Sequence, residues 1–184
     1  MYQRIFLITM TLFILACSAL LPQKTEPTAS LSAPTEVRQT EAIPTATGNS
    51  GLIGYKEVRL HPQDGVLEEI LAIEAAKAIS SGFMPVVEFD ADWCPPCIAI
   101  QKYLNAKNEL MLNAYDGTYI IKLDVDEWGW DNGRVENFFF EAIPVYFKLD
   151  GQGQQTGEVI DGGAWNEDIP VNIAPVMDAF FHAR

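Results

Sequence analysis

Basic residues are scarce in this 184-residue chain: 12 Lys and Arg stand against 25 Asp and Glu, for a formal net charge of −13. Phosphate contacts need Lys and Arg, so this balance argues against a nucleic-acid partner. The imbalance is uneven. Residues 1–50 hold three acids (Glu26, Glu36, Glu41) and three bases (Arg4, Lys24, Arg38), so the excess negative charge belongs to the remainder. That surface reads as a means of solubility, with attraction of basic partner proteins as the other option. Histidine occurs only at 61 and 182, and cysteine only at 17, 94 and 97. A zinc site needs four ligands, and neither histidine has the usual spacing from the C-x-x-C pair. An odd cysteine count does not suit a disulfide framework. There is no internal repeat.

The N-terminus has its own pattern. Arg4 gives a positive start, and Ile5 to Leu15 is an uncharged, mostly apolar run. Ile14-Leu15-Ala16-Cys17 then resembles a bacterial lipoprotein cleavage box, which makes Cys17 the candidate for lipidation and 1–17 a signal peptide. Leu15 stands where that box usually has a small residue. An uncleaved anchor over Ile5–Leu21 therefore stays open, near the short limit of roughly 17–25 residues for a membrane helix. On either reading Arg4 stays inside and the rest faces outward, into the periplasm or the extracellular space. Residues 18–53 are rich in Pro, Thr, Ser, Ala and Gly, with few aliphatics and no periodicity, and read as a flexible tether.

The folded domain is expected over 54–184. Tyr55–Leu60 reads as a short strand. A helix opens after Asp64-Gly65, repeats apolar residues at helical spacing and stops at Ser80-Ser81-Gly82. Val86–Phe89 is a buried central strand, followed by a helix from Pro95 to Leu112 and a strand over Tyr119–Leu123. Asp131-Asn132-Gly133 is a turn and Arg134–Glu141 a short helix. Val145–Leu149 and Glu158–Ile160 form a hairpin around Asp150-Gly151-Gln152-Gly153. The last helix spans Glu167–Phe181, started late or interrupted by Pro170 and Pro175. Alternating strands and helices with a terminal hairpin and helix predict an α/β fold: a mixed central sheet with helices on both faces. Phe138, Phe139, Phe140, Phe180 and Phe181 are expected in the core.

Trp93-Cys94-Pro95-Pro96-Cys97 organises the domain. A strand running into C-x-x-C at a helix start is a redox arrangement. The first helical turn has backbone N–H groups without intrahelical partners and partial positive charge, which stabilises a thiolate there. Both prolines fit the first turn, where their missing N–H groups are not needed. A structural disulfide, a metal half-site and a pair of idle thiols are the competing readings.

Here the sequence resembles the thioredoxin family. Glu88-Phe89-Asp90-Ala91-Asp92-Trp93-Cys94-Pro95-Pro96-Cys97 is similar to its acid-aromatic-x-Ala-acid-Trp-Cys-x-Pro-Cys segment, Lys122-Leu123-Asp124-Val125-Asp126 to its central strand end, and Ala142-Ile143-Pro144-Val145-Tyr146-Phe147 to its cis-proline strand. The resemblance covers about residues 54–184 and implies a thioredoxin-like fold. It also resolves the cysteine count: Cys94 pairs with Cys97, and Cys17 is left for lipid.

The resemblance makes Cys94 the attacking thiol, exposed beside Trp93, and Cys97 the resolving one. Glu88 matches a buried acid that takes a proton from the second cysteine, and Lys122 matches that acid's lysine partner. The other readings are a solvent-facing edge position for Glu88 and a surface strand end for Lys122. Ile143 and Pro144, joined by a cis bond, are expected to face the cysteines and meet an extended substrate through the backbone. Gly162 and Gly163 either permit close approach at this groove or are turn glycines. Trp128 and Trp130 either pack their acidic loop or form a partner patch. Ile98 replaces the basic residue often found after the family's second cysteine.

The expected function is an outward-facing, membrane-tethered thiol–disulfide oxidoreductase acting on protein disulfides, with reduction favoured. Its partners are protein disulfides or thiols and an unidentified redox protein, and it needs neither metal nor organic cofactor. The alternatives are a non-catalytic binding module of the same fold and a metal-handling protein using the C-x-x-C pair.

Overall fold

The computed structural model describes residues 51–183. Cys17, the expected signal segment and nearly all of the expected tether lie outside the described residues. Five strands form one sheet in the order β1 (Lys56–Leu60), β3 (Thr118–Asp124), β2 (Met84–Asp90), β6 (Val145–Leu149) and β7 (Gln155–Asp161). The β1, β3 and β2 strands run parallel, and β6 and β7 run antiparallel to their neighbours. The expected mixed α/β sheet is therefore present, with β2 at its centre.

Strand parity divides the core in two. From β2, Val87 and Phe89 point to one face, where they meet Leu67, Leu71 and Ala78 of helix α1 (Leu67–Ser80) and the buried Phe138, Phe140 and Phe147. Val86 points to the other face, against Ile100 and Leu104 of α2 (Pro95–Asn105), Met111 of α3 (Glu109–Ala114), and Ile173, Met177 and Phe181 of α5 (Pro170–His182). Helices thus cover both sides because successive strand residues alternate between them.

Two expected helices are corrected. The helix predicted from Pro95 to Leu112 breaks at Ala106: Lys107 takes a left-handed φ of 55°, and Asn108 starts α3 by accepting a hydrogen bond from the Met111 N–H at 3.2 Å. Apolar spacing runs through this junction, but an Asn side chain competes for the backbone donors and restarts the helix. The short helix predicted over Arg134–Glu141 is a small antiparallel ladder of β4 (Arg134–Val135) and β5 (Phe138–Phe139), with Glu136 at φ 51° between them. Phe138 and Phe140 are buried while Phe139 is 69% exposed, the alternation of an extended segment rather than a helix, so Phe139 leaves the expected core.

A short helix α4 (Val125–Trp128) follows β3 directly and was not expected. The adjoining tryptophans pack inward, Trp128 Nε1 donating to the Leu60 carbonyl at 3.1 Å and Trp130 stacking on Phe140. Loop packing, rather than a partner patch, is their arrangement. The final helix starts late, at Pro170, where the missing N–H suits the first turn.

Candidate active site

Cys94 is the N-cap of α2, with extended backbone (φ −83°, ψ 108°), and its sulfur accepts from the Cys97 N–H at 3.3 Å. Pro95 and Pro96 fill the first turn. Cys94 and Cys97 are joined in a disulfide, with Cα atoms 5.3 Å apart. The expected exposure of Cys94 is corrected: in the disulfide form Cys94 is 1% exposed and Cys97 4%. An N-cap sulfur bonded one turn into its own helix is tucked under that turn. Exposure falls instead on the flanking residues, Trp93 and Ile98, each more than half exposed. Trp93 Nε1 donates to Asp126 Oδ2 at 2.7 Å, tying the ring to the start of α4.

Behind the disulfide lies a line of charge. Glu88 pairs across the ladders with Lys122 on β3 and Tyr146 on β6. Glu88 and Lys122 are both buried, so neither the edge position nor the surface strand end describes them. The Lys122 ammonium is 2.9 Å from Asp90 Oδ2, donates to Gln101 Oε1 at 2.8 Å, and stands 3.6 Å from Glu88 Oε1. Glu88 Oε1 has no hydrogen-bond partner among the described residues. Asp90 is held from its other side by Arg59, whose guanidinium donates to both carboxylate oxygens at 2.9 and 2.6 Å.

Burial pushes the Glu88 carboxyl up to about 7; Lys122 pulls it down, Asp90 and Glu57 add to the rise, and the Tyr146 hydroxyl counters slightly. For Lys122, burial lowers the pKa, but attraction to Glu88 and then Asp90 outweighs it and the net direction is up. Cys97, Asp90, Lys122, Gln101 and Arg59 line one open cavity of about 530 Å³ beside α2. Asp90, Lys122 and Arg59 therefore share this space with the second cysteine, and Glu88 lies behind Lys122, outside the lining.

The Ile143–Pro144 bond is cis. The Gly162 N–H donates to the Pro144 carbonyl at 2.9 Å, and a Cβ on Gly162 would lie 3.2 Å from Pro144 Cδ. That is close approach, the first of the two readings of this glycine. Among the described residues no three Cys, His, Asp or Glu side chains gather as a metal cage.

Glu88, Lys122 and both cysteines are legible in the sequence; Cys97 and Lys122 line one cavity, with Cys94 bonded to Cys97 and Glu88 beside Lys122. Arg59, Asp90 and Gln101 are not. Asp90 carried a signal: it follows Glu88 by two residues and so shares its strand face.

No protein-family model matches the chain. Over 130 residues the chain is 31% identical to the thioredoxin-like protein HCF164, chloroplastic, of Oryza sativa subsp. japonica, over 65% of this chain and 44% of that relative. It is 30% identical over 107 residues to thioredoxin H4 of Arabidopsis thaliana, over 57% of this chain and 81% of the relative.

The chain belongs to the thioredoxin family.

It spans less than half the length of the rice protein. Among solved structures it is similar to the reduced thioredoxin pre-protein of Schistosoma mansoni, at 21% identity and a TM-score of 0.39, over 68% of this chain and 97% of that one. It is also similar to the thioredoxin NaTrxh of Nicotiana alata, at 24% identity and a TM-score of 0.39, over 61% and 85%. As a thioredoxin-family chain it keeps the C-x-x-C pair at a helix start, while Asp90 puts a buried charge at the variable position of the family segment.

Proposed function

We propose that this chain is a thiol–disulfide oxidoreductase that reduces protein disulfides through Cys94 and Cys97, tethered on the outward face of a membrane through Cys17 or an uncleaved N-terminal anchor. The observation that carries the reading is the Cys94–Cys97 disulfide at the N-terminus of α2. In the reduced protein the helix start stabilises the Cys94 thiolate, which attacks one sulfur of a substrate disulfide. A mixed disulfide forms, and the departing substrate thiolate takes up a proton. Cys97 then gives up its proton and attacks the Cys94 sulfur, releasing the second substrate thiolate. Two electrons pass to the substrate and the protein returns to its disulfide form. An unidentified redox protein must reduce it again.

Glu88 is the proposed acceptor of the Cys97 proton, its affinity raised by burial into the range where both directions of transfer are accessible. Lys122 is its partner. Trp93, Ile143 and Pro144 are the proposed substrate contacts, with the backbone at Ile143 meeting an extended segment. Signal-like composition before Cys17 supports the tether, as does the Pro, Thr and Ser content of residues 18–53.

Insulin reduction tests the chemistry. The wild-type chain, kept reduced by dithiothreitol, is expected to accelerate it, and Cys94→Ser to abolish the acceleration. Unchanged turnover in that variant would overturn the reading in favour of a non-catalytic module.

A further inference from the structure

Thioredoxin-family membership accounts for the cysteine pair, but not for a second buried carboxylate on the same strand face as Glu88. Asp90 is 5% exposed and takes two cations at once: Arg59 in a two-pronged contact and Lys122 at 2.9 Å. Lys122 has a choice between two acids. It takes the closer contact with Asp90, adds Gln101, and leaves Glu88 Oε1 at 3.6 Å with no hydrogen-bond partner among the described residues. A buried carboxylate oxygen without a partner is costly when ionised and tolerable when the group is protonated.

We propose that Asp90, clamped by Arg59, is a positioning residue that draws the Lys122 ammonium away from Glu88 and so sets how tightly the buried acid holds its proton. Asp90 acts through Lys122 and touches no reacting atom. The groups facing Glu88 are Lys122 on β3, Asp90 on its own strand, Glu57 and Arg59 on β1, Tyr146 on β6, Tyr115 after α3 and Tyr55 before β1. Of these, Asp90 is the one bonded directly to Lys122. Removing its charge frees the ammonium to close on Glu88, which favours the ionised form. The inference rests on the oxidoreductase reading for its purpose, but its geometry and test do not require catalysis.

The test is the titration midpoint of the Glu88 side-chain carboxyl, followed by carbon-13 NMR in the full chain in its disulfide form. Asp90→Asn is expected to lower the midpoint by about one pH unit. In a Lys122→Met background the same change is expected to move it by less than half as much, because the intermediary is gone. Asp90→Glu, which keeps a carboxylate within reach of the ammonium, is expected to restore the wild-type midpoint. A midpoint unmoved or raised in Asp90→Asn would overturn the proposal. So would equal shifts in both backgrounds, which would mean that Asp90 acts by its own charge. Should Asp90→Asn fail to fold, Arg59→Gln serves, since that side chain is 35% exposed. Asp90 then leans on Lys122 alone and the midpoint should rise; a fall would overturn the proposal. Failure of the wild-type chain to accelerate insulin reduction, with the shifts intact, would strike the oxidoreductase reading alone.

Discussion

The two sides of β2 are built from alternate residues of one seven-residue strand, and they obey different physics. On one side Phe89 is fully buried among aromatic rings, with centroids 4.6 Å from Phe140, 5.1 Å from Phe138 and 6.1 Å from Phe147. On the other, Glu88 and Asp90 are also buried but ionisable, and two cations from other strands face them. Burial alone stabilises the first side and is indifferent to pH. The second is stable only in some protonation states. The contrast sets this strand apart: a central strand covered on both faces commonly reads as apolar on both.

The largest effect is expected on the dry side. Phe89→Ala leaves a cavity beneath three rings and should cost about 3–5 kcal/mol of stability, with the same loss at every pH. Denaturant melts at pH 5 and pH 7 check this; a loss that differed between them would mean that the two sides are coupled.

On the charged side, Glu88→Gln breaks the comparison differently. The Glu88 carboxyl sits at about 7, above its ordinary 4.5, because burial disfavours its charge. The folded state thus binds the proton more tightly than the unfolded chain does. That contribution is complete below about 4.5 and is lost as pH rises through about 7. Between pH 5 and pH 7 the wild-type disulfide form should lose about 2 kcal/mol through this group. Glu88→Gln should remove that slope and, if Glu88 accepts the Cys97 proton, slow insulin reduction with a changed pH–rate profile. A wild-type slope that survives in the variant would assign it elsewhere.

What was legible in the sequence follows the same division. The apolar alternation of Val86 to Phe89, the helix start at Pro95 and the spacing of the cysteines are local signals, each set by the period of its element. Glu88, Lys122 and the cis bond at Pro144 came through family resemblance, because their meeting spans several strands. Arg59 and Asp90 came through neither. Their contact depends on parallel register, Arg59 beside Lys122 on β3 and Lys122 beside Glu88 on β2, and one sequence does not encode register in any short window. The predicted strand also stopped at Phe89, one residue short of the charge that shares Glu88's face. Around Arg134 and Phe138 the error was of period: three consecutive phenylalanines read as core, while a β ladder buries alternate ones.

The smallest effect sharpens the boundary between the two sides. Tyr146 lies opposite Glu88 on β6, fully buried, and accepts a hydrogen bond from the Tyr115 hydroxyl at 3.1 Å. Its next neighbour along the strand, Phe147, belongs to the dry side. Tyr146→Phe keeps the ring, so packing is preserved, but leaves the Tyr115 hydroxyl without that acceptor, for about 1 kcal/mol. Because the Tyr146 hydroxyl helps hold the Glu88 affinity down, its loss should raise the Glu88 midpoint, opposite in sign to Asp90→Asn. A stability loss with no rise in the midpoint would confine the tyrosine pair to packing and leave Lys122, Asp90 and Arg59 as the groups that decide when Glu88 gives up its proton.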